Sequence, residues 1–587
     1  MSGRLWYAVD RRHQTGGMSP AIIGLGVLAA LLVLVPGAIW IAGQLGGAAG
    51  PSNPWAYVVW LAMGELRWTR TASLWLGVLV VGGVAVGLGI LVTILRSRGR
   101  KNVGQVRIDR KASSMATGRE LAALAPAGAA ADAQRLRSVH VGSGNPLGTH
   151  VVSGQSLRAS YEWVQTWILG PRAGKTSCVC VPQILENRAP VIATSNKRDI
   201  VDLTRGPRSE WGRCWVFDPQ GLIGETQQVW WDPLNFIRAY PDRMVERADE
   251  LAALFNASVS SEDGRPDPYF EPEGEAYLAS LLLAATIANE PISGVWRWMM
   301  DPGDLTPMHL LQLEDFPIAA EQIQSIAGLP EEQRGGVVGT ARKMVPWLRS
   351  PAILRWVTPQ PGMPQFDEFA FITSTQTVYA VSREGAGTAR AVMGALTVAI
   401  LQAGEHIAGR SPGGRLATPL MAILDEAANV VRWRDLPDMY SHFGSRGICV
   451  SAFLQGWSQG VEAWGERGMM KLWSASNIRV VGSGLAEEPF LAQISRLIGD
   501  HDIVTRSASA GSTLTANVST NTQLHREAIL EVSELEAMPP GRAVLLAAGM
   551  RAGILRLDHW STKPYRDAVA DSRDHYENAL VTTGGQP

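Results

Sequence analysis

Residues 163–177 read Trp-Val-Gln-Thr-Trp-Ile-Leu-Gly-Pro-Arg-Ala-Gly-Lys-Thr-Ser, an apolar run that leads into a short glycine-containing loop. A phosphate-binding loop (P-loop) needs such a turn between a strand and a helix, because backbone N–H groups at the helix start hold the phosphates. The pattern predicts a set of nucleotide-binding residues: Gly170, Pro171, Arg172, Ala173, Gly174, Lys175, Thr176 and Ser177. The loop is one residue shorter than usual, since Leu169 stands where the first glycine belongs.

Within this loop two side chains have expected roles. Lys175 is predicted to reach the β- and γ-phosphates of ATP, and the Thr176 hydroxyl to ligate Mg²⁺. A degenerate P-loop also arises by chance, so the prediction needs a partner motif.

That partner motif is Pro-Leu-Met-Ala-Ile-Leu-Asp-Glu-Ala-Ala-Asn at residues 419–429, an apolar strand that ends in two carboxylates. This is the Walker B arrangement. Asp425 is predicted to hold the Mg²⁺ shell, and Glu426 to polarise the attacking water. The alternative, a strand that ends in a solvated acidic turn, is weak because the motif follows a P-loop.

Further polar residues follow other apolar runs. Gln455 ends the run Ile448–Leu454 and is predicted to sense the γ-phosphate, because ligands bind beyond the carboxyl ends of parallel strands. Asp218 and the cluster 195–199 follow strands too, and either line the same edge or cap helices. Arg446 is the candidate arginine finger, with Arg432 and Arg390 behind it; each is equally compatible with a surface arginine.

Two uncharged runs near the N-terminus, residues 21–43 and 74–95, are each long enough to cross a hydrocarbon core of about 30 Å. Basic residues flank these runs but are scarce in the loop between them, where only Arg67 and Arg70 occur. The positive-inside rule therefore predicts two transmembrane helices, with both termini and the rest of the chain in the cytoplasm.

The remaining chain alternates short apolar runs with helical patterns, which predicts an α/β fold built on a parallel sheet. The predicted strands are residues 139–141, 149–152, 163–169, 191–194, 214–217, 377–381, 420–424, 448–454 and 478–481. Between residues 235 and 355 the strand pattern disappears and helical patterns dominate, which indicates an inserted all-α domain.

These patterns divide the 587-residue chain into five parts. They are a membrane anchor at 1–96, a linker with a short helix at 97–137, a P-loop motor domain at 138–234 and 356–565, an all-α accessory domain at 235–355, and a polar tail at 566–587, which we expect to be disordered after residue 570. The net charge of −1 excludes a polycation, so any nucleic acid must bind through local patches. Four cysteines without paired spacing indicate neither a disulfide scaffold nor a metal site.

Several motifs in this order resemble the type IV secretion coupling proteins, the TraG/TraD-like ATPases of conjugative DNA transfer, and their actinobacterial branch most of all. The matching stretches are residues 170–177, 193–199, 231–234, 424–429, 445–448 and 454–459, together with the two predicted spans. The resemblance implies a RecA-like motor domain, an accessory all-α domain that recognises cargo, and a homo-hexameric ring. It also implies that the protein binds ATP and Mg²⁺, recruits a relaxase on single-stranded DNA, and contacts components of a type IV secretion channel at the inner membrane.

Three alternatives stay open. The first is a coupling ATPase whose cargo is protein effectors, since the motor motifs would be identical. The second is an FtsK-like double-stranded DNA translocase, which the helical insertion disfavours. The third is a membrane receptor or scaffold that does not hydrolyse ATP, which only the short P-loop supports.

Overall fold

The computed structural model describes residues 20–102, 106–259, 267–383, 389–509 and 519–583. The chain divides into two compact units, one of residues 1–107 and 501–527 and the other of residues 108–500 and 528–587.

The first unit is built on three helices and a β-hairpin: α1 (Pro20–Leu45), α2 (Pro54–Ala62), α3 (Arg70–Asn102), β10 (Asp500–Ser509) and β11 (Ser519–Ala528). Helices α1 and α3 approach closely at Gly46, where an added Cβ would lie 2.4 Å from Ala72 Cα. The hydroxyls of Thr69 and Thr71 donate to the Gly46 carbonyl oxygen at 2.7 and 2.8 Å. Small and hydroxyl-bearing side chains therefore hold the two helices together.

The predicted membrane spans fall within α1 and α3. Within α3, Arg70–Gly89 is long and apolar enough to cross a membrane, and its side chains are almost all exposed. Helix α16 (Arg390–Arg410) passes the same test of length and hydropathy, but most of it is buried inside the second unit. Because its apolar surface is already covered by protein, α16 is a core helix.

The second unit contains one mixed sheet, whose described strands are β1 (Asn145–His150), β2 (Ser156–Ala159), β3 (Gln165–Ile168), β4 (Val191–Ser195), β5 (Cys214–Phe217), β6 (Thr377–Val381), β7 (Leu420–Leu424), β8 (Ile448–Leu454), β9 (Ile478–Gly482), β12 (Arg542–Ala547) and β13 (Gly553–Arg556). The strand order is β2-β1-β13-β12-β9-β3-β8-β7-β4-β6-β5. The run from β9 to β5 is entirely parallel, with Leu424 opposite Thr194 and Ala452.

The α/β class is confirmed, but the expectation of a wholly parallel sheet is wrong at one side. Strands β12, β13, β1 and β2 extend the sheet in antiparallel fashion from β9. The central strands β4, β7 and β8 are buried along their whole length, as strands covered on both faces must be. Residues 139–141 form turns rather than a strand, and the strand predicted at 149–152 lies earlier, at Asn145–His150, because the chain turns at Gly154 with φ +71°.

Helices cover the sheet and form the insertion. They are α4 (Pro126–Arg135), α5 (Val181–Leu185), α6 (Asp199–Ser209), α7 (Asn235–Arg238), α8 (Met244–Val259), α9 (Phe270–Ile287), α10 (Ser293–Met300), α11 (Thr306–Leu313), α12 (Pro317–Gly328), α13 (Glu331–Met344), α14 (Pro351–Val357), α15 (Glu368–Ile372), α16, α17 (Ala427–Val430), α18 (Leu436–Arg446), α19 (Trp457–Ala475), α20 (Glu488–Ile498), α21 (Val532–Glu536) and α22 (Arg566–Thr583). Short 3₁₀ helices occupy residues 107–114, 241–243, 346–349, 412–414 and 560–562.

The inserted helices, α7 to α15, lie between β5 and β6. Their centre is α9, which buries nearly every residue from Tyr277 to Thr286. A helix that is apolar all round must be enclosed by neighbours, and α8, α11, α12 and α13 enclose it.

The polar C-terminal segment is helical over Arg566–Thr583, so the expectation of disorder after residue 570 is wrong as far as residue 583. Helix α22 packs on α6 and buries Val569 completely. The Ser572 hydroxyl donates to the Asp202 carbonyl oxygen at 2.6 Å and accepts from the Gly206 N–H at 3.0 Å. Few apolar residues are needed here because the buried Ser572 supplies hydrogen bonds to α6. Residues 584–587 lie outside the part of the chain that the structure describes.

Glu368, at the start of α15, is 3% exposed, and its Oε2 has no hydrogen-bond donor among the described residues. Burial raises the pKa of this carboxyl to about 7. Below the pKa of an unfolded glutamate, both states carry the proton and no stability is lost. As pH rises, the folded protein keeps a proton that the unfolded chain releases, so stability falls until about pH 7.

We therefore expect Glu368→Gln to raise the melting temperature by several degrees at pH 8 and to change it little at pH 4.5. A shift of this size corresponds to at most about 3 kcal/mol, and melting followed by circular dichroism at both pH values measures it. Glu331→Gln, at an exposed position on α13, is the matched control. An equal effect of Glu368→Gln at both pH values would contradict the prediction.

Candidate nucleotide site

Five loops of the second unit meet at the carboxyl edge of the parallel strands. They follow β3, β4, β7, β8 and β9, and β3 lies between β8 and β9 in the sheet. Ligands of such sheets bind at this edge. The loop after β3 is the predicted P-loop, and the loops after β7 and β8 carry Glu426 and Gln455.

The P-loop is held against the loop after β9. The Gly170 N–H donates to the Ser483 carbonyl oxygen at 2.9 Å. A Cβ added at Gly170 would lie 2.0 Å from the Gly484 carbonyl oxygen, so only glycine fits here. The loop then turns through two residues with positive φ, Arg172 at +59° and Gly174 at +87°, and the Arg172 side chain is exposed.

The helix after the P-loop begins with a π-turn over Thr176–Cys180. The Val181 N–H bonds the Thr176 carbonyl oxygen, five residues earlier. Pro182 explains the widened turn, because it has no N–H and its ring would clash with the Cys178 carbonyl in a regular α-helix. The π-turn contains one residue more than an α-helical turn, and it directly follows the P-loop, which is one residue shorter than usual.

Lys175 connects the P-loop to the loop after β7. Its Nζ donates to Glu426 Oε1 at 2.5 Å and lies 3.1 Å from Asp425 Oδ1. Burial alone would lower the pKa of Lys175, but the two carboxylates outweigh it and raise that pKa. All three predicted charges therefore lie at one point of the sheet edge.

Glu426 is buried and adopts a left-handed backbone conformation, with φ 55° and ψ 47°. This conformation is costly for a non-glycine residue and recurs at functional sites. The Gln455 amide donates to Glu426 Oε1 at 2.7 Å, and the Gln459 amide lies 3.4 Å from Oε2. The carboxylate is thus held from three sides.

Two of the residues that shape this arrangement were absent from the predicted site. Gln459 Oε1 accepts the Gln455 N–H at 2.8 Å, which ties the first turn of α19 to the loop after β8. Glu487 caps α19 by accepting the N–H groups of Trp457 and Ser458 at 2.6 and 2.8 Å. Glu487 lies 30 residues after Trp457 in the chain, so no local sequence pattern indicated this contact.

Asp425 is suited to a cation. Burial raises its pKa to about 6, although Lys175 pulls it down. Its Oδ1 is sealed from solvent and faces Lys175 Nζ at 3.1 Å. The Thr194 hydroxyl fixes the backbone by donating to the Asp425 carbonyl oxygen at 2.9 Å. A buried carboxylate at the same sheet edge as the P-loop offers the oxygen ligation that Mg²⁺ requires.

The candidate arginines are divided between the two edges of the parallel strands. Arg446 ends α18, before β8, and its guanidinium donates to the Gly414 carbonyl oxygen at 3.1 Å. The seven residues of β8 separate it from Gln455 by about 20 Å. Arg432 and Arg390 lie on the carboxyl side, where Arg432 follows α17 and donates to the Ala428 carbonyl oxygen.

The remaining predicted residues close turns at the ends of their strands. Asp218 accepts the N–H groups of Leu222 and Ile223 at 2.7 and 2.6 Å, which closes the turn after β5. Ser195 accepts the Lys197 N–H at 3.1 Å at the end of β4. Both residues therefore stabilise the loops at the carboxyl edge of the sheet, and neither caps a helix through these contacts.

The segment that carries Asp425, Glu426 and Gln455 also matches a protein family. Residues 419–540 match the family model described as the TraM recognition site of TraD and TraG. The predicted resemblance to the TraG/TraD coupling proteins is confirmed. This segment contains β7, β8 and β9, so it includes the acidic and amide parts of the site but not the P-loop.

One curated relative and several solved structures are similar to the chain. Conjugal transfer protein TraG of Escherichia coli is 24% identical over 204 residues, which are 32% of this chain and 31% of TraG, so the match spans about a third of that relative. The bacterial conjugative coupling protein TrwB, in an unbound form, is 13% identical with a TM-score of 0.48, over 72% of this chain and 91% of TrwB. VirB4 of Thermoanaerobacter pseudethanolicus is also 13% identical with a TM-score of 0.42, over 73% of this chain and 98% of VirB4.

Proposed function

We propose that the chain is an inner-membrane coupling ATPase that recruits a relaxase on single-stranded DNA and drives its transfer through a type IV secretion channel. The observation that carries the proposal is the meeting of Lys175, Asp425 and Glu426 at one sheet edge, with Gln455 on the same carboxylate. A P-loop lysine beside two acidic residues and a sensor amide is the arrangement that ATP hydrolysis requires.

In the proposed site each residue has one task. The backbone N–H groups of residues 170–177 and Lys175 hold the phosphates, while Thr176 and Asp425 hold Mg²⁺. When bound, Mg²⁺ neutralises phosphate charge during hydrolysis. Glu426 polarises the attacking water, and Gln455 orients it or senses the γ-phosphate.

An arginine from a neighbouring subunit completes the proposed site in a homo-hexamer. Arg446 is our candidate for this role, and its place before β8 excludes a role within its own subunit. In a ring, the surface that carries Arg446 would have to contact the carboxyl edge of the sheet in the next subunit. Arg432 and Arg390 are the alternatives on the carboxyl side.

The inserted helices are proposed to contact protein cargo rather than DNA. Residues 235–355 contain 18 acidic and ten basic residues, so this all-α accessory domain carries a net charge of −8. Such a charge repels phosphates and attracts basic protein surfaces. The motor domain then comprises residues 138–234 and 356–565, and residues 1–96 anchor it with both termini in the cytoplasm.

Partner proteins are proposed from the family as well. The matching family is described by the recognition of TraM by TraD and TraG. We propose that the corresponding segment of this chain contacts an equivalent DNA-processing partner, and that other surfaces contact components of the secretion channel.

ATP hydrolysis by the full chain in lipid nanodiscs, with and without single-stranded DNA, tests the proposal. We expect DNA to raise turnover several-fold in the wild type and to leave Lys175→Ala inactive. Hydrolysis that is indifferent to DNA would favour protein effectors as cargo, which the acidic accessory domain also suits. Preference for double-stranded DNA would favour an FtsK-like translocase, and nucleotide binding without hydrolysis would favour a scaffold.

A further inference from the structure

A second site lies away from the nucleotide edge, in the same unit. A cavity of about 280 Å³ opens between the start of β9, the end of α20 and the β12–β13 turn. We call it the Arg479 pocket, and its walls are formed chiefly by Met115, Arg479, Leu497, Leu546, Met550 and Arg551. No acidic side chain of the described residues lines it.

Arg479 projects from β9 onto the face opposite the main core. Its neighbours Ile478 and Val480 belong to that core, and side chains alternate along a strand. The guanidinium lies over the Trp473 ring, 5.7 Å from its centroid. Because Trp473 is buried, Arg479 is supported by an apolar floor and not by water on that side.

Within the part of the chain that the structure describes, this arginine has no anionic partner. Its Nε is sealed from solvent and has no acceptor among the described residues, which also provide no ion pair for the guanidinium. Burial lowers the pKa of Arg479, and no nearby carboxylate opposes that effect. Arg551, at the rim, differs in that it lies 3.6 Å from Glu120 Oε1 and donates to the Ser114 carbonyl oxygen.

An uncompensated, half-buried guanidinium is unfavourable unless an anion joins it, since buried charges are normally paired. The surrounding walls are apolar, and Leu497 remains 48% exposed at the opening. We propose that the Arg479 pocket receives an acidic side chain of a partner protein, with an adjacent apolar residue filling the cavity.

The chemistry of the walls favours a polypeptide over nucleic acid. Nucleic-acid interfaces are polar and strongly basic, whereas only Arg479 and the already paired Arg551 are cationic here. Arginine bound to a carboxylate above an apolar floor is a common hot spot of protein interfaces. That the partner belongs to the transfer machinery rests on the proposed function, but the pocket itself does not.

Two fluorescein-labelled peptides test the proposal with the full chain in nanodiscs. One contains Leu-Glu-Leu between glycine spacers, and the other contains Leu-Gln-Leu. Fluorescence anisotropy is expected to show about tenfold tighter binding of the glutamate peptide. Arg479→Met should abolish this preference, while Arg551→Met should retain most of it. Equal binding of both peptides, or displacement by single-stranded DNA instead, would overturn the proposal.

Thermal melting separates a binding role from a structural one. Because Arg479 has no ion pair to lose, Arg479→Met is expected to keep or raise the melting temperature. A clear fall would show that the arginine serves packing on Trp473, and the proposal would be wrong. Basal ATP hydrolysis should be unchanged in Arg479→Met. If the wild type does not hydrolyse ATP, that result contradicts the proposed motor function and leaves the proposal for the Arg479 pocket standing.

Discussion

Lys175→Met is expected to destabilise the nucleotide-free protein by about 3–5 kcal/mol, in addition to abolishing ATP turnover. The side chain of Lys175 neutralises Asp425 and Glu426, both about 4% exposed. Removing it leaves two buried carboxylates side by side without a counter-charge. A surface lysine would have no such effect, because exposed ion pairs contribute at most about 1 kcal/mol.

Urea unfolding of the full chain in EDTA, without nucleotide, measures this loss. The double variant Lys175→Met/Glu426→Gln should recover much of the stability, because one of the two uncompensated charges is gone. Lowering the pH toward 5 should also reduce the deficit, since protonation of a carboxylate then removes charge. Lys343→Met, at an exposed position on α13, is the control. An unfolding midpoint of Lys175→Met equal to that of the wild type would show that the contact carries no energy.

Glu426→Gln is expected to lower the turnover of ATP by about 10²–10⁴-fold while nucleotide affinity is kept. Glutamine has the same shape and still accepts from Lys175, so the site should assemble. It cannot take a proton from water, and the chemical step is lost. Turnover by phosphate release and affinity by a fluorescent ATP analogue separate the two quantities, and equal losses in both would argue against a catalytic base.

Gln459→Leu extends this prediction to the residue found only in the structure. Its amide contacts Glu426 and its carbonyl fixes the Gln455 backbone, so its loss should reduce turnover by roughly 2–10-fold, the worth of one hydrogen bond. Gln324→Leu, at an exposed position on α12, should change nothing. Normal turnover in Gln459→Leu would mean that Lys175 and Gln455 hold the carboxylate without it.

Most of the parallel sheet was predictable because its strands are covered on both faces and appear as short apolar runs. The strands β4 to β9 were each found within one or two residues of the predicted bounds. The strands β12 and β13 were missed, and their antiparallel pairing with β9 and β1 depends on neighbours that are remote in the sequence. Helix α22 was missed because its burial depends on α6, more than 350 residues earlier in the chain.

By itself the sequence determined the α/β class, the P-loop, the acidic pair and the glutamine that follows β8, since each is a local pattern attached to the end of an apolar run. Only the tertiary structure decided that Lys175 pairs with Glu426 across 251 positions, and that Gln459 and Glu487 support the same loop. It alone left Arg479 without a counter-charge among the described residues and placed the Arg446 guanidinium on the Gly414 carbonyl oxygen. The physical reason is that chemical identity is written along the chain, whereas distance, burial and the presence of a counter-charge arise only when remote segments pack together.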